Sequence, residues 1–260
     1  MDLGIAGRRA FVAASSQGLG YACARSLARE GVAVIINGRD PGKLAAAAEH
    51  LRVEASAADI DCVAADLTTG PGRAAIADKC GEVDILVTNN AGPAPGTLDD
   101  WDVVALEGAL RANMIPAVQL MRAFIPGMRA RGFGRIVNIT SAMVKSPAYE
   151  MGLSTSARAA LTAISKAISK DVVADNVTVN NLLPERIDTP RQEFMAQRLM
   201  QAHNITRDEA RRRIAATIGA RRLGRPEEFG DACAFLCSAQ AGYISGQNLQ
   251  LDGGSYEGLI

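Results

Sequence analysis

The sequence predicts an α/β fold in which one mainly parallel, seven-stranded sheet carries helices on both faces. Two observations lead to this prediction. Short runs rich in β-branched residues alternate with longer helix-like segments along the 260 residues. The runs are also apolar on both sides of the pleat, as strands buried between two helical layers must be. Strict alternation implies right-handed crossovers, so we expect a doubly wound sheet.

The predicted strands are residues 9–14, 32–36, 60–65, 83–88, 135–140, 177–183 and 248–251. One segment interrupts the alternation: residues 185–225 form a long, mostly helical, arginine-rich insertion, which we expect to cover a substrate. No repeat, low-complexity tract or Pro/Ser-rich linker divides the chain. We therefore expect a single domain over residues 1–260.

Composition argues against several classes of function. Basic and acidic residues balance at 28 each, so long-range attraction to nucleic acid or to an anionic membrane is not expected. The N-terminus lacks a basic-then-apolar secretory pattern, and no run reaches the ~20 apolar residues that span a bilayer, so we expect a cytoplasmic protein. The five cysteines are scattered and there are only two histidines, so no metal site is predicted.

A turn of small residues connects the first strand to the first helix and indicates a nucleotide site. Small side chains let backbone N–H groups and the helix N-terminus approach a pyrophosphate. Two glycines in such a turn are weak evidence when taken alone. The residues that we expect at the cofactor are Ala14, Ser15, Ser16, Gln17, Gly18, Leu19 and Gly20.

The end of the second strand bears on the choice of cofactor. An acidic residue ~20 positions after the glycines would hold the ribose 2′-hydroxyl of NAD(H). Here the run is Asn37-Gly38-Arg39, with no carboxylate before Asp40. A guanidinium at Arg39 can take a 2′-phosphate through paired bonds, which favours NADP(H) over NAD(H). The alternative is a solvated loop arginine.

These motifs, with Asn89-Asn90-Ala91-Gly92, Ser141 and the ending Asp252-Gly253-Gly254, resemble the short-chain dehydrogenase/reductase family over essentially the whole chain. The 3-oxoacyl-carrier-protein reductase-like branch is the most similar. The resemblance implies a Rossmann fold and a homotetramer formed through helices near residues 112–131 and 153–174. It also implies further cofactor contacts at Asp66, Leu67, Asn90, Ala91, Gly92, Pro184, Ile187 and Thr189. Asn90 has a structural alternative, since the motif also braces the sheet, and Glu185 stands where the family has glycine.

The family's catalytic tetrad is altered in this chain. Asn113 and Ser141 match its Asn and Ser, whereas Ser154 and Arg158 stand in the places of its Tyr and Lys. Hydride transfer to a carbonyl creates an alkoxide that needs a proton, and serine is a shorter and weaker acid than tyrosine. Arg158 lies one helical turn after Ser154 and can still hold the ribose hydroxyls.

Three functions remain open at this point. The first is an NADP(H)-dependent oxidoreductase acting on a small carbonyl or alcohol, or on an acyl thioester. Its proton would come through Ser141, Ser154 and water, or from Tyr149 or Lys145. The second is a nucleotide-binding sensor or interaction module with little turnover, and the third is isomerisation or elimination. Residues 186–225 hold ten arginines against four carboxylates, which indicates either an acidic partner or a solvated helix face.

Overall fold

The seven strands lie close to their predicted positions. In a computed structural model, which describes residues 2–259, they are β1 (Arg9–Val12), β2 (Ala33–Gly38), β3 (Ile60–Ala64), β4 (Ile85–Thr88), β5 (Gly134–Ile139), β6 (Val177–Pro184) and β7 (Asn248–Leu251). They form one sheet in the order β3-β2-β1-β4-β5-β6-β7. Every neighbouring pair is parallel, so the predicted doubly wound α/β fold is confirmed.

Helices cover both faces of this sheet. They are α1 (Gly18–Arg29), α2 (Pro41–Glu54), α3 (Gly70–Cys80), α4 (Val103–Asn113), α5 (Ile115–Ala130), α6 (Gly152–Val172), α7 (Pro190–His203), α8 (Arg207–Ala216) and α9 (Pro226–Cys237). One buried cluster packs α1, α2 and α9 against the sheet through residues such as Leu27 and Phe229. A second cluster, with Phe11 and Phe124, packs α3, α5 and α6 on the other face.

The strand order places a crevice at the carboxyl ends of β1 and β4. β1 pairs with β2 on one side and with β4 on the other, so the connections that leave these strands run in opposite directions. Ligands of open α/β sheets bind at such a switch point. The turn of small residues at 14–20, the glycine turn, follows β1. The Asn89-Asn90-Ala91-Gly92 segment follows β4, so both lie at this crevice.

Two predicted elements differ from the structure. β1 ends at Val12 rather than at residue 14, because Ala14 adopts a φ of 45°, which no extended strand has. The helix expected over residues 112–131 is two helices that meet at Met114. Pro116 has no N–H to donate to the carbonyl four residues earlier, and its ring crowds that carbonyl. The carbonyl of Ala112 is thereby left for another donor.

The segment over residues 185–225 contains α7 and α8. These two helices pack on each other through a small cluster of Ala196, Ala210 and Ile214. Its role as a substrate cover stays a prediction, as does the assignment of the whole chain to one domain. Within residues 2–259, no helix combines the length and the apolar character needed to cross a membrane.

Candidate active site

The glycine turn approaches its own backbone too closely for larger side chains. A Cβ added at Gly20 would lie 2.5 Å from the carbonyl oxygen of Ala14, so only glycine fits there. Gly18 has a φ of 64°, a conformation that glycine adopts without penalty. The N-cap residue of α1, Gln17, makes no capping bond through its side chain. The first-turn N–H groups of α1 are therefore left without a side-chain cap, as a helix N-terminus that binds an anion requires.

The predicted turn residues divide into two roles. Ser15 is fully buried, donates to the carbonyl of Val12 at 2.6 Å and accepts from the backbone N–H of Asn37 at 2.9 Å. It builds the turn instead of reaching into the crevice. Gln17 is exposed, and Ser16, Gly18 and Leu19 are half-buried, so these residues border the open side.

Asn37 is a bracing residue that the sequence analysis did not single out for its side chain. Its Oδ1 accepts from the N–H of Ala14 at 3.2 Å, and its Nδ2 donates to the carbonyls of Val63 and Ala65. It thus joins the ends of β1, β2 and β3. The sequence feature that could have indicated this role is an asparagine at the end of an otherwise apolar strand.

Arg39 and Asp66 lie together beyond β2 and β3. Arg39 is exposed. Hydrogen bonds from the backbone N–H and hydroxyl of Thr68 lower the pKa of Asp66, and the positive charge of Arg39 lowers it further. Leu67 is buried beside them. The two sequence-predicted groups for the adenosine half of a dinucleotide are therefore neighbours at one end of the crevice.

The Asn89-Asn90-Ala91-Gly92 segment is held by amide bonds on both sides. Nδ2 of Asn89 donates to the carbonyl of Ala14 at 3.2 Å, which ties β4 to the glycine turn. Nδ2 of Asn90 donates at 2.9 Å to the carbonyl of Ala112, the one that Pro116 left free. The side chain of Asn90 therefore braces the junction of α4 and α5.

Arg158 is buried at the centre of the site, with 9% of its surface exposed. One terminal nitrogen, Nη1, donates to the carbonyls of Ile139 at 2.8 Å and Thr140 at 2.9 Å. Nε donates to Oγ of Ser154 at 3.2 Å, and Nη2 donates to the carbonyl of Asn90 at 3.4 Å. A guanidinium has five N–H donors. One N–H on Nη2 thus remains for a ligand.

Burial also changes the acidity of this arginine. Loss of hydration is the larger cause and repulsion from the nearby guanidinium of Arg191 the smaller one. Together they lower the pKa of Arg158 to about 10. Its partners are neutral carbonyls and a hydroxyl. The charge of Arg158 is therefore solvated by dipoles of the protein and is open to a further negative group.

Ser154 bonds to this guanidinium, and Ser141 directly follows Thr140, whose carbonyl the guanidinium also binds. Ser154 is 7% exposed and its Oγ accepts from Arg158, so its own hydrogen is free to point elsewhere. Oγ of Ser141, at the end of β5, accepts from the backbone N–H of Met143 at 3.2 Å. A Cβ built on Gly92 would lie 3.4 Å from Oγ of Ser154, so the missing side chain leaves the Ser154 hydroxyl accessible.

The other two residues considered as acids are engaged elsewhere. The hydroxyl of Tyr149 accepts from the backbone N–H of Leu98 at 3.1 Å, and its ring packs on Trp101 with the centroids 5.6 Å apart. The amine of Lys145 lies 5.3 Å above the ring centre of Tyr256.

Asn113 completes the predicted tetrad. Its Nδ2 reaches the carbonyl of Ala91 at 3.4 Å, while its Oδ1 is buried without a protein partner in the described part of the chain. A cavity of about 10 Å³, lined in part by Asn113, Arg158 and Asn90, lies beside it. Such a volume holds about one water molecule. The orphaned oxygen provides an acceptor for a water hydrogen there.

The segment after β6 faces the glycine turn. A Cβ added at Gly18 would lie 4.0 Å from Cβ of Thr189, which places Thr189 across the crevice. Ile187 is buried, and its carbonyl accepts from the hydroxyl of Thr189 at 3.3 Å.

Pro184 ends β6, and burial raises the pKa of the next residue, Glu185. Glu185 lines a separate cavity of about 180 Å³.

Most arginines of the insertion form ion pairs with neighbouring carboxylates. These ion pairs are Arg207–Glu193, Arg211–Asp188, Arg212–Glu209, Arg213–Glu209, Arg222–Glu228 and Arg225–Glu228. The triplet Arg211-Arg212-Arg213 is thus bound internally. The local charge excess counted from the sequence does not form one continuous basic surface.

Comparisons with known proteins agree on one family. Residues 13–256 match the family model described as Enoyl-(Acyl carrier protein) reductase. The NADPH-dependent reductase BacG of Bacillus subtilis (strain 168) is 32% identical, covering 97% of this chain and 99% of its own length. Dehydrogenase/reductase SDR family member 4 of Bos taurus is also 32% identical, over 96% of this chain and 88% of its own. The structure of L-sorbose reductase from Gluconobacter frateurii complexed with NADPH and L-sorbose superposes with a TM-score of 0.95 at 30% identity, covering 100% of both chains.

Proposed function

Since this chain belongs to the short-chain dehydrogenase/reductase family, we propose that it is an NADP(H)-dependent oxidoreductase that interconverts a carbonyl and an alcohol. The observation that carries this proposal is the convergence of Ser154, Arg158 and the Gly92 backbone at the crevice where β1 and β4 end. A relative named as an NADPH-dependent reductase, and a similar reductase solved in complex with NADPH, support the choice of reaction.

The crevice fits a dinucleotide on its own geometry. The close approach of Gly20 to the Ala14 carbonyl and the uncapped first turn of α1 leave room and N–H donors for a pyrophosphate. Thr189 lies opposite, and Ile187 and Pro184 border the nicotinamide end in our assignment. Asp66 and Leu67 border the adenine end, and Arg39 receives the 2′-phosphate that distinguishes NADP(H) from NAD(H).

We propose that the Ser154 hydroxyl donates the proton that the reduced carbonyl oxygen needs. When bound, NADPH supplies the hydride, and the carbonyl oxygen becomes an alkoxide that must be protonated. The Oγ of Ser154 already accepts a bond from Nε of Arg158, so its hydrogen can be donated to that alkoxide, and water then returns a proton to the Oγ. The positive charge of Arg158 stabilises the negative charge that develops on oxygen. Ser141 orients the carbonyl, and a water molecule beside Asn113 connects the site to solvent.

A measurement of turnover and cofactor binding tests the proposal. The purified protein is titrated with NADPH and NADH, and NADPH oxidation is then followed with ketones, 3-oxo acids and 3-oxoacyl thioesters. Carbonyl-dependent oxidation of NADPH supports the proposal. The absence of NADPH binding contradicts it outright, since the cofactor assignment then fails.

A second function is favoured by one observation. No tyrosine hydroxyl contacts Ser154 or Arg158 within residues 2–259, and the nearby Tyr149 is bound to Leu98. Such a site would suit a nucleotide-binding sensor or interaction module with little turnover. NADPH binding of normal strength without turnover of any carbonyl would favour this second function over the first.

We also propose a homotetramer. Apolar side chains on α4 and at the start of α5 are exposed in the single chain, with Val103 at 69%, Val104 at 77% and Ile115 at 37%. An exposed apolar patch of this kind is typical of an interface. Sedimentation at micromolar concentration tests this proposal, and a monomer would contradict it.

A further inference from the structure

Within the described part of the chain, Arg191 on α7 carries a positive charge without a carboxylate partner, beside the segment that follows β4. The guanidinium of Arg191 donates through Nη2 to the carbonyl of Pro93 at 3.2 Å and lies 5.3 Å from the ring centre of Phe194. Neither partner is charged. Within residues 2–259, no ion pair joins Arg191 to a carboxylate, although most arginines of the same insertion have one.

Arg191 is connected to the reaction centre through the backbone. Pro93, which it binds, directly follows Gly92, and a Cβ built on Gly92 would lie 3.4 Å from Oγ of Ser154 and 3.5 Å from Nη2 of Arg158. The two guanidiniums are close enough that Arg191 lowers the pKa of Arg158 by repulsion. Two like charges that face one cleft without a counterion are unfavourable until an anion enters.

The chemistry of a planar guanidinium indicates what that anion is. Its parallel N–H groups match the two oxygens of a carboxylate, and a bidentate pair of this kind both binds and orients the ligand. Arg191 reaches from α7 to Pro93, which follows the Gly92 that borders Oγ of Ser154, so an anion held by Arg191 would lie on the Ser154 side of the cleft.

We propose that Arg191 selects carbonyl substrates that carry a carboxylate near the carbonyl, that is, small oxo acids or the matching hydroxy acids. This inference rests on the proposed function and adds its substrate class. The free N–H of Arg158 provides the second positive charge on the carbonyl side. The guanidinium of Arg191 also lies 5.3 Å from the ring centre of Phe194, a distance at which a cation is attracted to an aromatic face.

The test compares each acid with its uncharged ester. Binding of 2-oxobutanoate, methyl 2-oxobutanoate, 4-oxopentanoate and methyl 4-oxopentanoate to the protein–NADP⁺ complex is measured by calorimetry, because the oxidised cofactor cannot reduce them. Arg191→Gln removes the charge, and Arg191→Lys keeps it. Arg221→Gln is the matched control, since Arg221 is exposed in the same insertion and makes no ion pair within residues 2–259.

We expect the wild-type complex to bind an acid in preference to its ester. Arg191→Gln should reduce that preference on the order of 10- to 100-fold, the loss of a charge-assisted bidentate contact. Arg191→Lys should retain part of the preference and Arg221→Gln all of it, with NADPH affinity unchanged in every variant. Thermal unfolding with NADP⁺ checks that each variant is folded.

Several results would overturn the inference. One is equal binding, or no binding, of acids and esters by wild type. Another is a loss of NADPH affinity in Arg191→Gln with an unchanged preference, which would make Arg191 a cofactor residue. A third is tighter binding of acetoacetyl-coenzyme A than of both acids, with no dependence on Arg191.

The two proposals fail separately. Arg191-dependent binding of an acid without turnover of any carbonyl would reject the oxidoreductase and keep the anion site. Turnover of esters with no preference for acids would reject the anion site and keep the oxidoreductase.

Discussion

Nε of Arg158 donates to Oγ of Ser154 across 3.2 Å, one helical turn earlier on α6. This bond sets the direction of the serine hydroxyl, because an oxygen that accepts from Arg158 must point its own hydrogen away. Gly92 leaves the space beyond that hydroxyl open. The pair therefore forms a short polar unit, at the positions where we predict that the family's tyrosine and lysine would stand.

Ser154→Ala tests whether this hydroxyl supplies the proton. We expect the rate constant of carbonyl reduction to fall by about 10²–10³, within the range of lost general-acid catalysis, while NADPH affinity stays unchanged. The matched control is Ser156→Ala on the same helix, whose hydroxyl donates only to the carbonyl of Leu153. Stopped-flow measurement of NADPH oxidation gives the rate, and a Ser154→Ala variant as fast as wild type would exclude this role.

The double variant Ser154→Tyr with Arg158→Lys tests whether the altered pair limits turnover. A tyrosine beside a lysine is the stronger acid, so reduction of a simple ketone should become faster than in wild type. The larger side chain must extend past Gly92, so the free energy of unfolding and NADPH affinity are measured alongside the rate. A slower but correctly folded double variant would show that the wild-type pair is adapted to its substrate.

The rate of reduction should depend on pH through Arg158. Because burial lowers the pKa of this guanidinium to about 10, it stays protonated at lower pH and loses its charge only as the pH rises through that value. We expect a rate constant that is flat between about pH 6 and 9 and declines towards pH 10 and above. A rate constant that already declines as the pH rises through neutral values would identify another titrating group as the acid.

Arg39→Ala tests the preference for the phosphorylated cofactor. Loss of a charge-assisted contact to the 2′-phosphate should weaken NADPH binding by about 1.5–3 kcal/mol and leave NADH binding unchanged. Fluorescence titration of both cofactors gives the two affinities. The control is Arg213→Ala, which removes an exposed arginine paired with Glu209 in the insertion. Equal affinity of wild type for NADPH and NADH would make Arg39 an ordinary loop residue.

Ala14→Gly should stabilise the protein. Ala14 has a φ of 45°, and the left-handed region costs an alanine about 1–2 kcal/mol. Glycine removes that cost but loses more backbone entropy on folding, so we expect a net gain of about 0.5–1 kcal/mol in the free energy of unfolding. Urea denaturation measures it. Ala13→Gly serves as the control, since Ala13 is buried without a positive φ and its replacement should destabilise.

The sequence by itself determined the sheet and the position of the site. Alternating apolar runs predict parallel strands because only such runs can be buried on both faces, and every predicted run overlaps the strand found there. Motifs that follow β1, β4 and β5 must then meet at the carboxyl edge of the sheet. Residues such as Gly20, Asn90 and Ser141 could be placed at that edge for this reason alone.

Only the tertiary structure decided how the side chains are used. Arg158 bonds to Asn90 across 68 positions of the chain, and Arg191 bonds to Pro93 across 98, so no local pattern reports either contact. The same holds for the arginines of the insertion, whose ion pairs depend on how α7 and α8 pack. Hydrogen bonds and ion pairs act over a few ångströms in space, whereas spacing along a sequence reports only the neighbours within one helix or strand.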